Sequence, residues 1–262
     1  QLQKAGATIQ EINTIRKHLS EIQGGQLAKL AYPATLLALI FSDVPGNDLG
    51  MVASGPTVLD KTTAEDAAEI LSKYDLIKTC QLPHCEIIET PKEEKYFKNV
   101  TNILLLTNDV ALEAMSEKSK ELGFNTKIWT NAMVGEARVV GQKFAQAPLK
   151  PKSCLLGGGE TTVIVKKEGR GGRCQELALS ALLKLPQEEV LIAVASDGQD
   201  NGDMAGVIVD EISLKKAKKL NLDIQDYLDD NQSYRFFEQI GDHIFTGPTG
   251  ANVSDLVLKL KM

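Results

Sequence analysis

Apolar residues recur at helical spacing through Glu11–Leu30, with Ile12, Ile15, Leu19 and Ile22 on one face. Gly24-Gly25 interrupts the pattern and Leu27 and Leu30 resume it, which predicts a helix, a glycine break and a second helix. Ala34–Ser42 is a compact apolar run opening into Ser42-Asp43-Val44-Pro45-Gly46, the pattern of a buried strand that ends in a loop. Thr62-Thr63-Ala64-Glu65 has the form of a helix start, and alanine and leucine spacing carries that helix over Thr63–Tyr74. Pro83, Pro91 and a run of charge make Leu82–Lys95 a surface connection. A domain boundary is expected there, giving segments 1–92 and 93–262.

Past this boundary the pattern alternates between periods. Asn102–Thr107 reads as a strand, Ala111–Leu122 as a helix capped at Asn108-Asp109 and closed by Gly123, and Asn125–Trp129 as a strand, together a β-α-β unit. Gly135–Gln146 follows as a helix, Ser153–Leu156 as a strand, Cys174–Leu185 as a helix, and Val190–Ala195 and Leu256–Leu260 as further strands. The alternation predicts an α/β protein of two layered domains with largely parallel sheets. In such sheets ligands bind beyond the carboxyl ends of strands, where Asp43, Gly157 and Asp197 fall.

Bulk composition narrows the picture. With 262 residues, 43% of them hydrophobic, the chain can bury a real core. A net charge of −6 argues against a protein that grips nucleic acid by bulk charge, so any basic site is local. The longest apolar stretch, Ala31–Phe41, is broken by Pro33 and is too short to span a bilayer, so no membrane partner is expected. Cys80, Cys85, Cys154 and Cys174 form no Cys-x-x-Cys pair and the three histidines are scattered, which favours reduced thiols and a cytoplasmic protein over zinc or disulfides. His84-Cys85 beside Pro83 reads as a loop rather than a metal corner. The chain begins at Gln1 with no leader pattern, and is expected to be a piece of a longer protein.

The densest chemistry lies between Gly157 and Glu176. Gly157, Gly158 and Gly159, then Gly169, Gly171 and Gly172, surround Glu160, Thr161, Arg170 and Arg173, which presents N–H donors, a hydroxyl and arginine forks to a phosphate or carboxylate. Two hairpin turns explain the same glycines, and solvated surface arginines the same charges. The strand Val190–Ala195 releases Asp197, Gly198, Asp200 and Asp203, and Ser42-Asp43 repeats the arrangement; each carboxylate suits Mg2+ or a proton from an alcohol, and equally an Asx-turn. Ser54-Gly55-Pro56-Thr57 and Gly247-Pro248-Thr249-Gly250 share Gly-Pro-Thr, suited to anion contacts or to plain β-turns. Neither Gly-x-x-x-x-Gly-Lys-[Ser/Thr] nor Gly-x-Gly-x-x-Gly occurs, which counts against a P-loop enzyme and a nicotinamide dehydrogenase.

In order along the chain, residues 11–20 with Gly24-Gly25, Ser42-Asp43-Val44, Ala53-Ser54-Gly55-Pro56-Thr57, Gly135-Glu136-Ala137, Gly158-Gly159-Glu160-Thr161-Thr162, Gly171-Gly172-Arg173 with Gln175-Glu176-Leu177, and residues 246–250 with Asn252 resemble the type 2 glycerate kinases. The resemblance covers nearly the whole chain. It implies a glycerate kinase domain, incomplete at its amino end, followed by a MOFRL domain over about 153–262. It also implies phosphoryl transfer from ATP with Mg2+ to the 2-hydroxyl of D-glycerate; a hydroxypyruvate reductase, or a lobe without activity of its own, is the alternative. Arg173 would stabilise the transferring phosphoryl group, Asp197 would activate the hydroxyl or hold the metal with Asp43, and Arg16 or Lys17 would meet the glycerate carboxylate. Ser54, Gly55, Thr57, Gly157, Gly158, Gly159, Glu160, Thr161, Arg170, Gly171, Gly172, Gly198, Thr249, Gly250 and Asn252 complete the candidate substrate and phosphate contacts. Family members begin upstream of Gln1 with a glycine-serine loop and a lysine, so the chain alone is expected to show little turnover; homodimer formation is left open. Cys174 stands where the family has asparagine, and Asp200-Asn201-Gly202-Asp203 is shorter than the family loop.

Overall fold

The computed structural model describes residue 2, residues 5–75 and residues 86–262. Cys80, His84, Cys85 and the opening of the 82–95 connection lie outside the described residues. The chain forms two compact units: Gln1–Ile40 with Asn47–Leu105, and Phe41–Gly46 with Leu106–Met262. The division falls past the expected 92/93 boundary because strand β2 (Val100–Leu106) pairs with β1 (Leu36–Phe41) and stays largely with the first unit.

In the first unit, helix α1 (Ile9–Leu19) starts with a capping box between Thr8 and Glu11 and packs Ile15 on Leu71 of α3 (Ala64–Lys73). Thr63 caps α3, its hydroxyl accepting from the Asp66 N–H. Gly24 and Gly25, both at positive φ, separate α1 from α2 (Gln26–Ala31), as the apolar pattern predicts. The expected buried strand at 34–42 differs. β1 alternates, and Leu37, Leu39 and Phe41 are more than half exposed, because among the described residues the sheet has two strands and no layer covers that face.

The second unit is a six-stranded sheet in the order β3-β4-β8-β5-β6-β7, made of β3 (Asn125–Met133), β4 (Ser153–Gly159), β8 (Asp255–Lys261), β5 (Glu189–Ala195), β6 (Gly206–Val209) and β7 (His243–Ile244). The α/β class holds, but the only parallel pairing in this sheet among the described residues is β3 with β4; β3, β4, β5 and β7 run one way, and β8 and β6, interleaved between them, run the other. The expected β-α-β unit is split for the same reason of pairing: β2 joins β1 while β3 joins β4. Helix α4 (Asn108–Glu121) brings Leu112 onto Cys154 and Leu156 on one face. Helices α5 (Ala137–Gln146), α6 (Arg173–Leu182), α8 (Ile224–Asp229) and α9 (Ser233–Ile240) build the main core on the other, around Phe144, Leu177, Leu191, Phe236, Phe237 and Val257. Helix α7 (Glu211–Lys219) is capped by Asp210, whose carboxylate accepts from the Ile212 and Ser213 N–H groups.

One ion pair lies inside this core. Lys259, wholly buried, meets Glu189 at 2.8 Å and donates to the Ala145 and Ala147 carbonyls at the end of α5. Lys259→Met is expected to cost about 3 kcal/mol, because it leaves the buried Glu189 carboxylate with only the part-exposed Lys261, 3.9 Å away. Lys259→Met with Glu189→Leu should recover most of that loss in urea unfolding. Equal losses in the single and double variants would show that the pair's charge is not what matters.

Candidate active site

Antiparallel pairing concentrates chemistry at one edge of the sheet. Asp255 opens β8 opposite Gly159, the last residue of β4, and Ala195, the last residue of β5. Glu160, Asp255 and the Ser196-Asp197 turn therefore emerge side by side. Arg173, the first residue of α6, reaches them: its Nε and Nη2 donate to the two Asp255 oxygens at 2.9 and 3.1 Å, and its Nη1 to Glu160 at 2.6 Å. A cavity of about 490 Å3 opens there, with Arg173, Glu160, Asp197, Gly171, Gly172 and Asn252 in its wall. A second depression, of about 300 Å3 and lined by Phe41, Asp43, Gly250 and Ala251, shares Asn252 with it.

Charges in this wall are tuned by burial. The Asp255 carboxyl is pushed up by burial and pulled back by Arg173. Glu160 is raised by burial too, and further by Asp255 and Asp43, against the pull of Arg173. For Arg173 burial works the other way, but the Asp255 fork outweighs it and holds the guanidinium charged.

The start of α6, expected to collect a ligand anion, already holds one. Asp200, 3% exposed, accepts from the Cys174 N–H at 3.1 Å and the Gln175 N–H at 2.8 Å. Burial pushes its carboxyl up to about 6, against those two bonds. Gly172 is glycine because a Cβ there would stand 2.2 Å from the Asp200 carboxyl carbon. The first glycine cluster is also a matter of packing: Gly157, Gly158 and Gly159 are buried in β4, and a Cβ on Gly158 would strike the Asn108 side chain at 2.1 Å. Gly157–Gly159 thus form no open loop, whereas Gly171 and Gly172 line the cavity.

Asp197 closes an Asx-turn, its Oδ1 accepting from the Gln199 N–H at 2.9 Å. Thr249 donates to the Ser196 carbonyl and its N–H to the Asp197 carbonyl, so the 246–250 turn is tied to this loop. Gly198 lies within it at positive φ. Asn252 donates to Asp43 at 3.3 Å. Thr161 is buried beside Glu160 with no hydrogen bond to its hydroxyl among the described residues. Arg170 stands apart from the cavity wall, stacked 3.4 Å over Tyr234 and paired with Asp203. Among the described residues no group of three or more His, Cys, Asp or Glu is arranged around a metal position; Mg2+ needs fewer when phosphate oxygens complete its shell.

Lys17 is held by the buried Asp60 at 2.9 Å. Arg16 is exposed, with its Nη1 donating to Asn13 at 3.4 Å. Ser54 donates to Asn13 and Thr57 to Asn102, and both hydroxyls are buried. Ala53, Ser54 and Gly55 all adopt left-handed backbone, and the Ser54 and Gly55 carbonyls accept from the Gly24 and Gly25 N–H groups at 2.9 and 2.8 Å.

Sequence reasoning missed Asp255 altogether. In a parallel sheet the start of β8 would lie at the opposite edge from the ends of β4 and β5, so the aspartate could be found only once the strand's direction was known.

An α/β protein with an arginine-centred polar cavity at one sheet edge is the class that this fold and site define. Comparison with known proteins makes it specific. Residues 1–86 match a family model described as a domain of unknown function (DUF4147), and residues 153–255 match the MOFRL family. A D-glycerate 2-kinase from Thermotoga maritima is 41% identical over 99% of this chain and 64% of its own. An Agrobacterium vitis chain provisionally named hydroxypyruvate reductase is 36% identical over 96% of this chain and 69% of its own. A solved glycerate kinase from Thermotoga maritima superposes with a TM-score of 0.90 at 40% identity, covering 100% of this chain and 65% of that one. The chain belongs to the type 2 glycerate kinase family. It spans somewhat under two thirds of the length of the curated glycerate 2-kinases it matches.

Proposed function

We propose that the protein is a D-glycerate 2-kinase, transferring the γ-phosphoryl group of ATP to the 2-hydroxyl of D-glycerate to give 2-phosphoglycerate. The observation that carries this reading is Arg173, which keeps a single guanidinium nitrogen toward a polar cavity while Asp255 fixes the other two. Phosphoryl transfer asks little covalent chemistry of a protein and much positioning and charge neutralisation. Arg173 stabilises charge on the transferring group. Asp197, one oxygen engaged in its own turn, offers the other to the glycerate hydroxyl or to a metal. Asp43 and Asp197 are the residues that would hold Mg2+, an ion that neutralises phosphate charge. The hydroxyls and backbone of the 246–250 turn, with Asn252, are further phosphate contacts. Arg16 is the basic residue of the first unit proposed for a carboxylate. A cytoplasmic location and assembly as a homodimer belong to the same proposal, and no helix among the described residues is long and apolar enough to cross a membrane.

An assay coupling ADP release to D-glycerate, run on this chain and on the whole encoded protein, tests the reading. The expected result is glycerate-dependent ADP release with 2-phosphoglycerate as product, strongest in the whole protein. Oxidation of reduced nicotinamide by hydroxypyruvate, without glycerate-dependent ADP release, would replace it by the reductase.

A further inference from the structure

The three guanidinium nitrogens of Arg173 are held unequally. Nε and Nη2 form a fork on Asp255, whose side chain is 2% exposed and whose backbone is paired on both sides, to Gly159 and to Ala195. Nη1 meets Glu160, which is 43% exposed and sits just past the end of β4. An anion that approaches Arg173 therefore competes with Glu160. Displacing Asp255 would strand a buried charge, whereas displacing Glu160 returns a half-exposed carboxylate to water. Charge balance points the same way. One guanidinium between two carboxylates is net negative and repels phosphate until one carboxylate leaves. Glu160 is the strained partner, pushed up by burial and by Asp255 and Asp43, with Asp197 in the same cavity wall.

We infer that Arg173 has one fixed and one exchangeable partner: Asp255 positions the guanidinium, and Glu160 holds Nη1 until an anionic phosphate group of the ligand replaces its carboxylate. The inference rests on the phosphoryl-transfer reading for the identity of the anion.

Calorimetric titration of inorganic tripolyphosphate into the whole protein, with turnover measured alongside, tests it in the wild type and in Glu160→Gln, Asp255→Asn and Asp255→Glu. Glu160→Gln should bind about fivefold more tightly, as expected for losing a competitor worth one half-exposed ion pair. Asp255→Asn should bind more weakly and lower kcat more than KM, and Asp255→Glu should restore part of kcat, which a purely packing role would not produce. Glu160→Gln binding no tighter than the wild type overturns the exchange, and does so whatever happens to the folding of the Asp255 variants. Asp255→Asn that binds and turns over normally overturns the positioning role, and absence of tripolyphosphate binding in every variant overturns both. The expected shifts in binding without glycerate phosphorylation in any variant would discard the kinase and keep the exchange.

Discussion

Arg173→Ala is expected to lower turnover on the order of 10²–10³-fold, the loss typical of removing one preorganised group that stabilises transition-state charge. It should also destabilise the protein by about 1–3 kcal/mol, because Asp255 is left buried without its counter-ion while water reaches part of the vacated space. Arg173→Lys keeps the charge but not the fork, and should fall between, nearer to alanine in rate than in stability. Steady-state kinetics beside urea unfolding separates the two effects. Normal turnover in the alanine variant would remove Arg173 from the mechanism and leave it a structural cation.

Asp200→Ala should cost about 2–3 kcal/mol, because two N–H groups in the first turn of α6 lose their acceptor in a buried setting. The same residue predicts a pH dependence. Its carboxyl titrates near 6 when folded and near its ordinary value of 3.8 when unfolded, so the folded state holds the proton more tightly between those limits. Stability from this source is full below about pH 4 and is lost as pH rises through 6, roughly 3 kcal/mol in all at about 1.4 kcal/mol per unit. Asp200→Asn keeps the shape and removes the titration, so its stability should be flatter across that window. A wild-type unfolding free energy with the same pH slope as that of the Asp200→Asn variant over this window would rule this out.

What the chain discloses by itself divides along a physical line. Local signals were legible: the glycine break at residues 24–25 and the Thr63 start of α3 stand where spacing and capping predict, and the helix expected from Cys174 begins one residue earlier, at Arg173. Strand direction was not, since apolar runs such as Val190–Ala195 and Leu256–Leu260 look the same in either orientation, and with direction went Asp255, the buried partner of Arg173. The candidate glycines were found but their meaning was not: Gly158 and Gly172 are required by neighbours, Asn108 and Asp200, that are remote in sequence. Residues 206–244 drew no assignment, although Tyr234, Phe237 and Ile240 mark one face of α9 and Asp210 a helix start, signals that period and capping rules do detect.

The left-handed turn at Ala53–Ser54–Gly55 has an implication for how this sequence tolerates change. Two of its three residues carry a Cβ in a conformation that L-residues avoid, and it is held by the Gly24 and Gly25 amides. Those glycines are equally confined, since side chains on them would collide with Lys17 and Thr90, or with Phe97 and the Val58 carbonyl. Each stretch is thus the template for the other. Because the Ser54 and Gly55 carbonyls are the acceptors of the Gly24 and Gly25 amides, substitutions in the two stretches are expected to be non-additive, a single unit of epistasis.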